Sequence, residues 1–350
     1  MGPYDLLRSA LFMLPAEDAH HLAMASLGAL EELAPARVAV RRHFTTPPSA
    51  VRSRWGLAFP TPIGLAAGLD KNARAPRALA SLGFGFLELG TVTALPQDEN
   101  PRPNMFRLPR DRALINRLGF PNDGALVVAR RFEREVGRGG AGVPVGFSIG
   151  KSRLVPIEAL DAVIDDYLTS FRAVRTVADF VVVNVSSPNT KGLRALQGPA
   201  LAGALLTRLM TENERPGISR VPLLLKLSPD LVEREVDALL AVVRDTRLDG
   251  VIATNTTVAR DGLRALPAVV KAMGAGGLSG PPLLPRVLTL VPRIRATLGP
   301  KATVIAVGGI GDVNDVRRCL EAGADLVQLY TSFVYEGPGL PSRLARELSP

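Results

Sequence analysis

Among 350 residues there is one cysteine, Cys319. A disulfide within the chain is excluded, as is any cysteine-built zinc or iron–sulfur site. The lone thiol agrees with a reducing compartment. Histidine is almost as scarce: His20, His21 and His43 are the only three, all near the N-terminus. The body of the chain therefore has no Ser-His-Asp triad and no histidine-ligated metal, and no metal is expected. Aromatic residues make up 5%, and the arginines are scattered rather than interleaved with rings. That argues against nucleic acid as a partner, despite a net charge of +9. No apolar run approaches the ~20 residues of a spanning helix. The start, Met1-Gly2-Pro3-Tyr4-Asp5, lacks the basic and apolar regions of a secretion signal, and Leu6 stands where a myristoylation pattern needs Ser or Thr.

What is abundant is apolar: 47% hydrophobic against 21% charged residues, enough for a sizeable core. Eight short apolar runs lie at 63–67, 86–90, 143–149, 180–185, 222–227, 250–254, 303–307 and 325–330. They scarcely alternate, as expected of strands buried on both faces. Helical stretches at 73–82, 124–136, 157–176, 231–244, 283–298 and 313–322 fall between them. This α/β order predicts a (β/α)8 TIM barrel, with a doubly wound open sheet as the alternative. Before the first run, Leu6, Leu7, Ala10, Leu11 and Leu14 fall at helical spacing. So do Ala19, Leu22, Ala23, Leu27 and Leu30, beyond Pro15. Two short amphipathic helices are expected, giving an N-terminal helical extension over 1–45 and a barrel over 46–350. The extension is either a cap packed on the barrel or a membrane-surface element. In the second case its Arg8, Arg37, Arg41 and Arg42 meet anionic headgroups.

Polar or glycine-rich tails end seven of the runs, describing one rim of a barrel, where barrel enzymes work. Beside these seven, the run at 180–185 ends in Asn184-Val185-Ser186-Ser187-Pro188-Asn189-Thr190, whose uncharged amides and hydroxyls suit a flat polar ligand. Gly308-Gly309 after the seventh run and Tyr330-Thr331 after the eighth occupy the usual phosphate position of barrels, and Gly277-Leu278-Ser279-Gly280 can add to that cradle. Lys71 and Lys226 follow or end apolar runs, and a lysine at the end of a buried strand is usually functional or paired. Lys226 is either a Schiff-base lysine or a fixed positive charge beside an electron-rich cofactor; the neutral serine and asparagine company favours the second. Asn116 lies on the long connection between Thr91 and Val143, expected to be a lid over the rim.

Taken together, these motifs resemble the dihydroorotate dehydrogenases, in their membrane-associated, quinone-reducing class. The resemblance rests on Gly64-Leu65-Ala66-Ala67-Gly68-Leu69-Asp70-Lys71, Glu88-Leu89-Gly90-Thr91-Val92-Thr93, Pro101-Arg102-Pro103, Ile115-Asn116-Arg117-Leu118-Gly119-Phe120, the Asn184–Thr190 segment, Ile252-Ala253-Thr254-Asn255-Thr256-Thr257, Gly277-Leu278-Ser279-Gly280 and Val307-Gly308-Gly309-Ile310, in that order. It implies an FMN enzyme that oxidises dihydroorotate to orotate and passes the electrons to a membrane quinone, in de novo pyrimidine biosynthesis. It further implies a peripheral protein on the cytoplasmic face of a bacterial inner membrane. Ser187 would be the base that takes the C5 proton. Lys71, Asn116, Arg117, Leu118, Gly119, Phe120, Asn184, Asn189, Asn255 and Thr256 would surround the substrate. Ala67, Gly68, Lys71, Thr91, Asn184, Lys226, Thr254, Gly280, Gly309, Tyr330 and Thr331 would hold FMN. His20, Arg107 and Tyr330 match positions near the quinone head. Serine as the base and the 1–45 extension both point to the quinone class. Ser148 departs from the family, where asparagine is usual near the flavin, and Pro121 replaces a more usual polar residue. With no histidine in the barrel, the serine needs another proton route, for which a threonine–water relay through Thr190 or Thr256 is expected. The competing readings are another FMN barrel, acting on uridine in RNA or linked to fumarate, and a basic, non-enzymatic membrane-surface protein.

Overall fold

The computed structural model describes residues 3–47, 51–190 and 192–349. Three helices open the chain: α1 (Pro3–Met13), α2 (Ala16–Glu32) and α3 (Ala34–His43). The sequence reading expected two. The third forms because Pro35 falls in the first turn, where its missing N–H costs no hydrogen bond, so the chain restarts after a break at Leu33. A hairpin of β1 (Arg52–Arg54) and β2 (Leu57–Phe59) follows. Then come β3 (Ile63–Leu65), α4 (Pro76–Ser81), β4 (Phe86–Val92), β5 (Met105–Leu108), β6 (Ala113–Asn116), α5 (Ala125–Glu135), β7 (Val145–Ile149), α6 (Leu160–Val174) and β8 (Phe180–Asn184). The second half comprises α7 (Pro199–Asn213), β9 (Leu223–Leu227), α8 (Glu233–Asp245), β10 (Gly250–Ala253), α9 (Pro267–Met273), β11 (Gly277–Ser279), α10 (Leu284–Leu298), β12 (Thr303–Val307), α11 (Val313–Glu321), β13 (Leu326–Leu329), α12 (Thr331–Glu336) and α13 (Leu340–Leu348).

Strands β3, β4, β7, β8, β9, β10, β12 and β13 close into a parallel (β/α)8 barrel, and each corresponds to one of the eight apolar runs. The two-residue period of a strand sorts their side chains. Phe86, Phe180, Val182, Leu224, Ile252, Ile305 and Leu326 form a cluster with Phe59 inside the barrel, and Trp55 of the β1–β2 turn packs against it. The alternate residues, among them Leu87, Val181, Leu225 and Val327, join the larger core beneath the helices. Two positions after Phe86, Val182, Leu224, Ile252 and Leu326, the same inward-facing series continues as Glu88, Asn184, Lys226, Thr254 and Gln328. The lumen therefore changes from apolar to polar over one side-chain layer.

Both long insertions build one further sheet. Strands β5 and β6 form an antiparallel pair, and β11 adds to β6 with Gly277 opposite Asn116. The extension is fixed to the barrel by buried carboxylates at either end of α2. Glu17 accepts the N–H groups of Asn104 (2.6 Å) and Met105 (3.0 Å). Glu31 accepts Ala78 N–H (2.7 Å) in the first turn of α4 and pairs with Arg77 (2.7 Å). The inward side of α1 carries Tyr4, Arg8 and Phe12, spaced by four. Tyr4 Oη donates to Val334 O (2.7 Å), Arg8 donates to Tyr335 O (2.8 Å), and Phe12 meets the Tyr335 ring edge-on at 5.3 Å. Leu6, Leu7 and Met13 are left exposed, by 64%, 54% and 82%, with Leu14 and Leu22 half exposed beside them. Much of the apolar stripe legible in the sequence thus faces outward, not onto the barrel.

Candidate active site

At the C-terminal ends of the barrel strands lies a cavity of about 430 Å³, the size and place of a barrel enzyme's ligand site. Its floor is the polar layer of the lumen. Lys226 on β9 reaches across two intervening strands to Glu88 on β4, Nζ lying 3.1 and 3.3 Å from the carboxylate oxygens. Gln328 on β13 donates to the same carboxylate (2.9 Å), while its Oε1 is buried with no partner among the described residues. Lys226 and Gln328 line the cavity; Glu88 lies behind them.

On one wall the carboxamides form a chain. Asn255 Nδ2 donates to Asn184 Oδ1 (3.2 Å) and Ser186 Oγ (2.9 Å), and Asn184 Nδ2 donates to Thr91 Oγ1 (3.1 Å). Thr256 N–H donates to Asn255 Oδ1 (2.8 Å). These contacts hold the end of β8 against the loop after β10. Pro188 ends the extended run, and Ser187 Oγ is buried in the turn, accepting Asn189 N–H at 3.2 Å. Asn189 Nδ2 donates to Asn116 Oδ1 (3.2 Å), so the lid sheet is tied to the turn that carries Ser187. Near that turn Thr190 Oγ1 is buried without a partner among the described residues.

The opposite wall is backbone. Gly309 has φ +76°, and a Cβ there would lie 2.7 Å from Leu284 N. Gly280, at φ +111°, would put one 2.9 Å from Ala113 Cα. Only glycine fits either position. The first N–H groups of α12, at Thr331 and Ser332, face no earlier turn of their own helix, and both residues line the cavity. Ser332 Oγ is buried with no partner among the described residues. Helix-start N–H groups and glycine backbone suit a phosphate, and the amide-lined floor suits a polar ring system. The donor set therefore fits a flavin mononucleotide.

Lys71 also lines the cavity, Nζ donating to Gly68 O (2.6 Å). Burial lowers its ammonium to about 8, against the pull of Asp70 and Glu99. Burial, with the charges of Lys71 and His21, lowers the His20 imidazole to about 3. His20 is on α2 and Arg107 on β5; neither lines the cavity. Arg107 donates to Leu14 O (2.8 Å) and stacks on Phe12 at 4.5 Å, joining the end of α1 to the lid sheet. Tyr330, the third residue assigned to the quinone, does line the cavity.

Of the residues singled out for substrate and cofactor, the cavity wall collects Ser187, Lys71, Asn116, Leu118, Gly119, Phe120, Asn184, Asn189, Asn255, Thr256, Ala67, Gly68, Thr91, Lys226, Thr254, Gly280, Gly309, Tyr330 and Thr331. Arg117 is the exception: its guanidinium turns away to the carbonyls of Ala275 and Pro103, each at 2.8 Å. Ser148 lies off the wall, its Oγ 2.9 Å from Thr91 Oγ1. Sequence reading missed the roles of Glu88 and Gln328. Each had a signal, a polar residue interrupting an apolar strand, of the kind that drew attention to Lys226.

A family model for dihydroorotate dehydrogenase matches residues 50–350. Dihydroorotate dehydrogenase (quinone) of Nocardioides sp. is 49% identical over 335 residues, covering 94% of this chain and 92% of that protein. The protein of the same name from Thermobifida fusca is 45% identical, covering 97% and 90%. Among solved structures, DHODH in complex with ferulenol from Eimeria tenella superposes with a TM-score of 0.82 at 34% identity, covering 95% of this chain and 90% of that one.

Proposed function

The chain belongs to the dihydroorotate dehydrogenase family, and from that membership we propose that it oxidises (S)-dihydroorotate to orotate with FMN, delivering the electrons to a membrane quinone in de novo pyrimidine biosynthesis. The observation that carries this reading is the convergence, in one cavity, of the Ser187 hydroxyl, four asparagines and a glycine-lined phosphate cradle over Lys226. FMN, when bound, supplies the hydride acceptor. Gly280, Gly309, Thr331 and Ser332 would hold its phosphate; Ala67, Gly68, Thr91, Thr254, Lys226 and Tyr330 would hold its ring.

The chain's own residues do the rest. Asn116, Asn184, Asn189 and Asn255 present amide donors and acceptors to the cyclic ureide of the substrate, and Lys71 offers a cation to its carboxylate. Lid residues Leu118, Gly119 and Phe120 enclose the ring and exclude water. Ser187 Oγ takes the C5 proton as hydride leaves C6, and the C5=C6 double bond forms. A serine hydroxyl hardly ionises at neutral pH, so its proton must move on. Thr190 Oγ1, close in sequence and without a partner among the described residues, supports a threonine–water route outward, with Thr256 the other candidate. The side covered by α1 and α2, near His20, Arg107 and Tyr330, would be the approach for the quinone. His20, held neutral, can donate its one ring N–H to a quinone carbonyl without adding charge. The outward leucines of α1 and α2 and the net charge of +9 support docking on the anionic cytoplasmic face of a bacterial inner membrane. No helix among the described residues is long and apolar enough to cross a membrane.

Substituting Ser187→Ala tests the assignment. The variant should keep its yellow flavin but bleach with dihydroorotate about 10²–10⁴-fold more slowly. Bleaching at the parent rate would remove Ser187 from the mechanism. A parent protein that binds no flavin would overturn the whole reading.

A further inference from the structure

Glu88 has a fully buried side chain and lies outside the cavity wall, so it touches neither substrate nor cofactor. Its carboxylate receives Lys226 Nζ and Gln328 Nε2 from two other strands, and those two side chains do line the cavity. We propose that Glu88 is a positioning residue acting through Lys226: it fixes the ammonium at the cavity floor, offsets its charge there and so sets the reduction potential of the flavin. The inference rests on the flavin reading of the site.

The physical argument is one of charge balance. Two-electron reduction adds electron density to a flavin, and a lone ammonium in a low-dielectric lumen would stabilise that density strongly. With a carboxylate 3.1 Å behind it, the ammonium presents a dipole instead of a net charge. The remaining described floor residues, Asn184, Thr254 and Gln328, are neutral. A flavin that must release electrons to a second acceptor is served by this restraint, since an uncompensated charge would hold them. The geometry also distinguishes Glu88 from a filler. Strands β4, β9 and β13 are not neighbours, so the three side chains meet only by crossing the lumen beneath the cavity.

The test is the potential of the flavin-loaded protein, measured by spectroscopic titration against redox dyes. Glu88→Gln keeps the shape and leaves Lys226 uncompensated. Its two-electron potential should rise by the equivalent of at least a roughly tenfold change in the equilibrium, about 30 mV. Glu88→Asp, which keeps the charge, should move it less. An unchanged potential in flavin-loaded Glu88→Gln overturns the proposal. Should that variant fail to fold, the double variant E88Q/K226M, which leaves no unpaired buried charge, decides. A compensated pair predicts a two-electron potential within about 30 mV of the parent, the equivalent of a tenfold change in the equilibrium, and a larger fall means that Lys226 acts alone. A parent chain that takes up no flavin overturns the proposed function, and this inference with it.

Discussion

Lys71 and His20 are the residues whose ionisation the fold moves furthest towards use. Both are displaced by burial towards the neutral form, the lysine to about 8 and the histidine to about 3. For Lys71 the sign is direct: below pH 8 the free protein offers an ammonium to the substrate carboxylate, and above it an amine. The value of kcat/KM, which reports the free enzyme, should therefore fall as pH rises through about 8. In Lys71→Arg the guanidinium stays charged throughout this range, and that falling limb should vanish whatever the variant's absolute rate. A limb that persists in Lys71→Arg would assign the titration to another group. Lys71 was legible as a lysine closing an apolar run; its lowered ionisation was not, because burial comes from residues far away in sequence.

Helix α2 is the element on which the extension depends. Its two buried carboxylates, Glu17 and Glu31, grip the lid sheet and the start of α4 respectively. Glu31→Ala leaves the Ala78 N–H without its acceptor and Arg77 without its pair, a loss of about 2 kcal/mol in docking. Cleavage within residues 1–45 by a protease should then accelerate while the barrel's unfolding transition stays in place. Cleavage at the parent rate would show that the carboxylate is no clamp. Sequence periodicity identified α1 and α2 as amphipathic but could not say which side faces the barrel. The inward stripe of α1, Tyr4, Arg8 and Phe12, works through a hydroxyl, a guanidinium and a ring, none of which a purely apolar template detects. The lid sheet was equally hidden, since β6 and β11 pair from segments about 160 residues apart.

At the scale of the whole molecule, a polar cavity opens at one end of the barrel and a row of exposed apolar residues lies on the helices packed beside it. On the proposed reading that row meets lipid, each fully buried leucine contributing about 1.5–3 kcal/mol. Replacing both Leu7 and Met13 by Glu should abolish co-sedimentation with anionic vesicles and slow quinone turnover in membranes. Flavin reduction by dihydroorotate should continue at the parent rate. Undiminished vesicle binding would mean that another surface docks.

The eight barrel strands and their polar rim were legible from local pattern: eight apolar runs, each buried on both faces, call for a parallel sheet covered by helices, and the polar residues at their ends mark its working edge; closure into a barrel rather than an open sheet is a tertiary outcome. Partnership did not follow. That Glu88 lies under Lys226, that Asn189 reaches Asn116, and that Arg117 turns away while Arg107 joins α1 to the lid are matters of which side chains cross a closed lumen or bridge two insertions. Residues 138 positions apart, such as Glu88 and Lys226, come within 3.1 Å because the sheet curves round so that β4 and β9 face each other across the lumen. No local preference carries that distance.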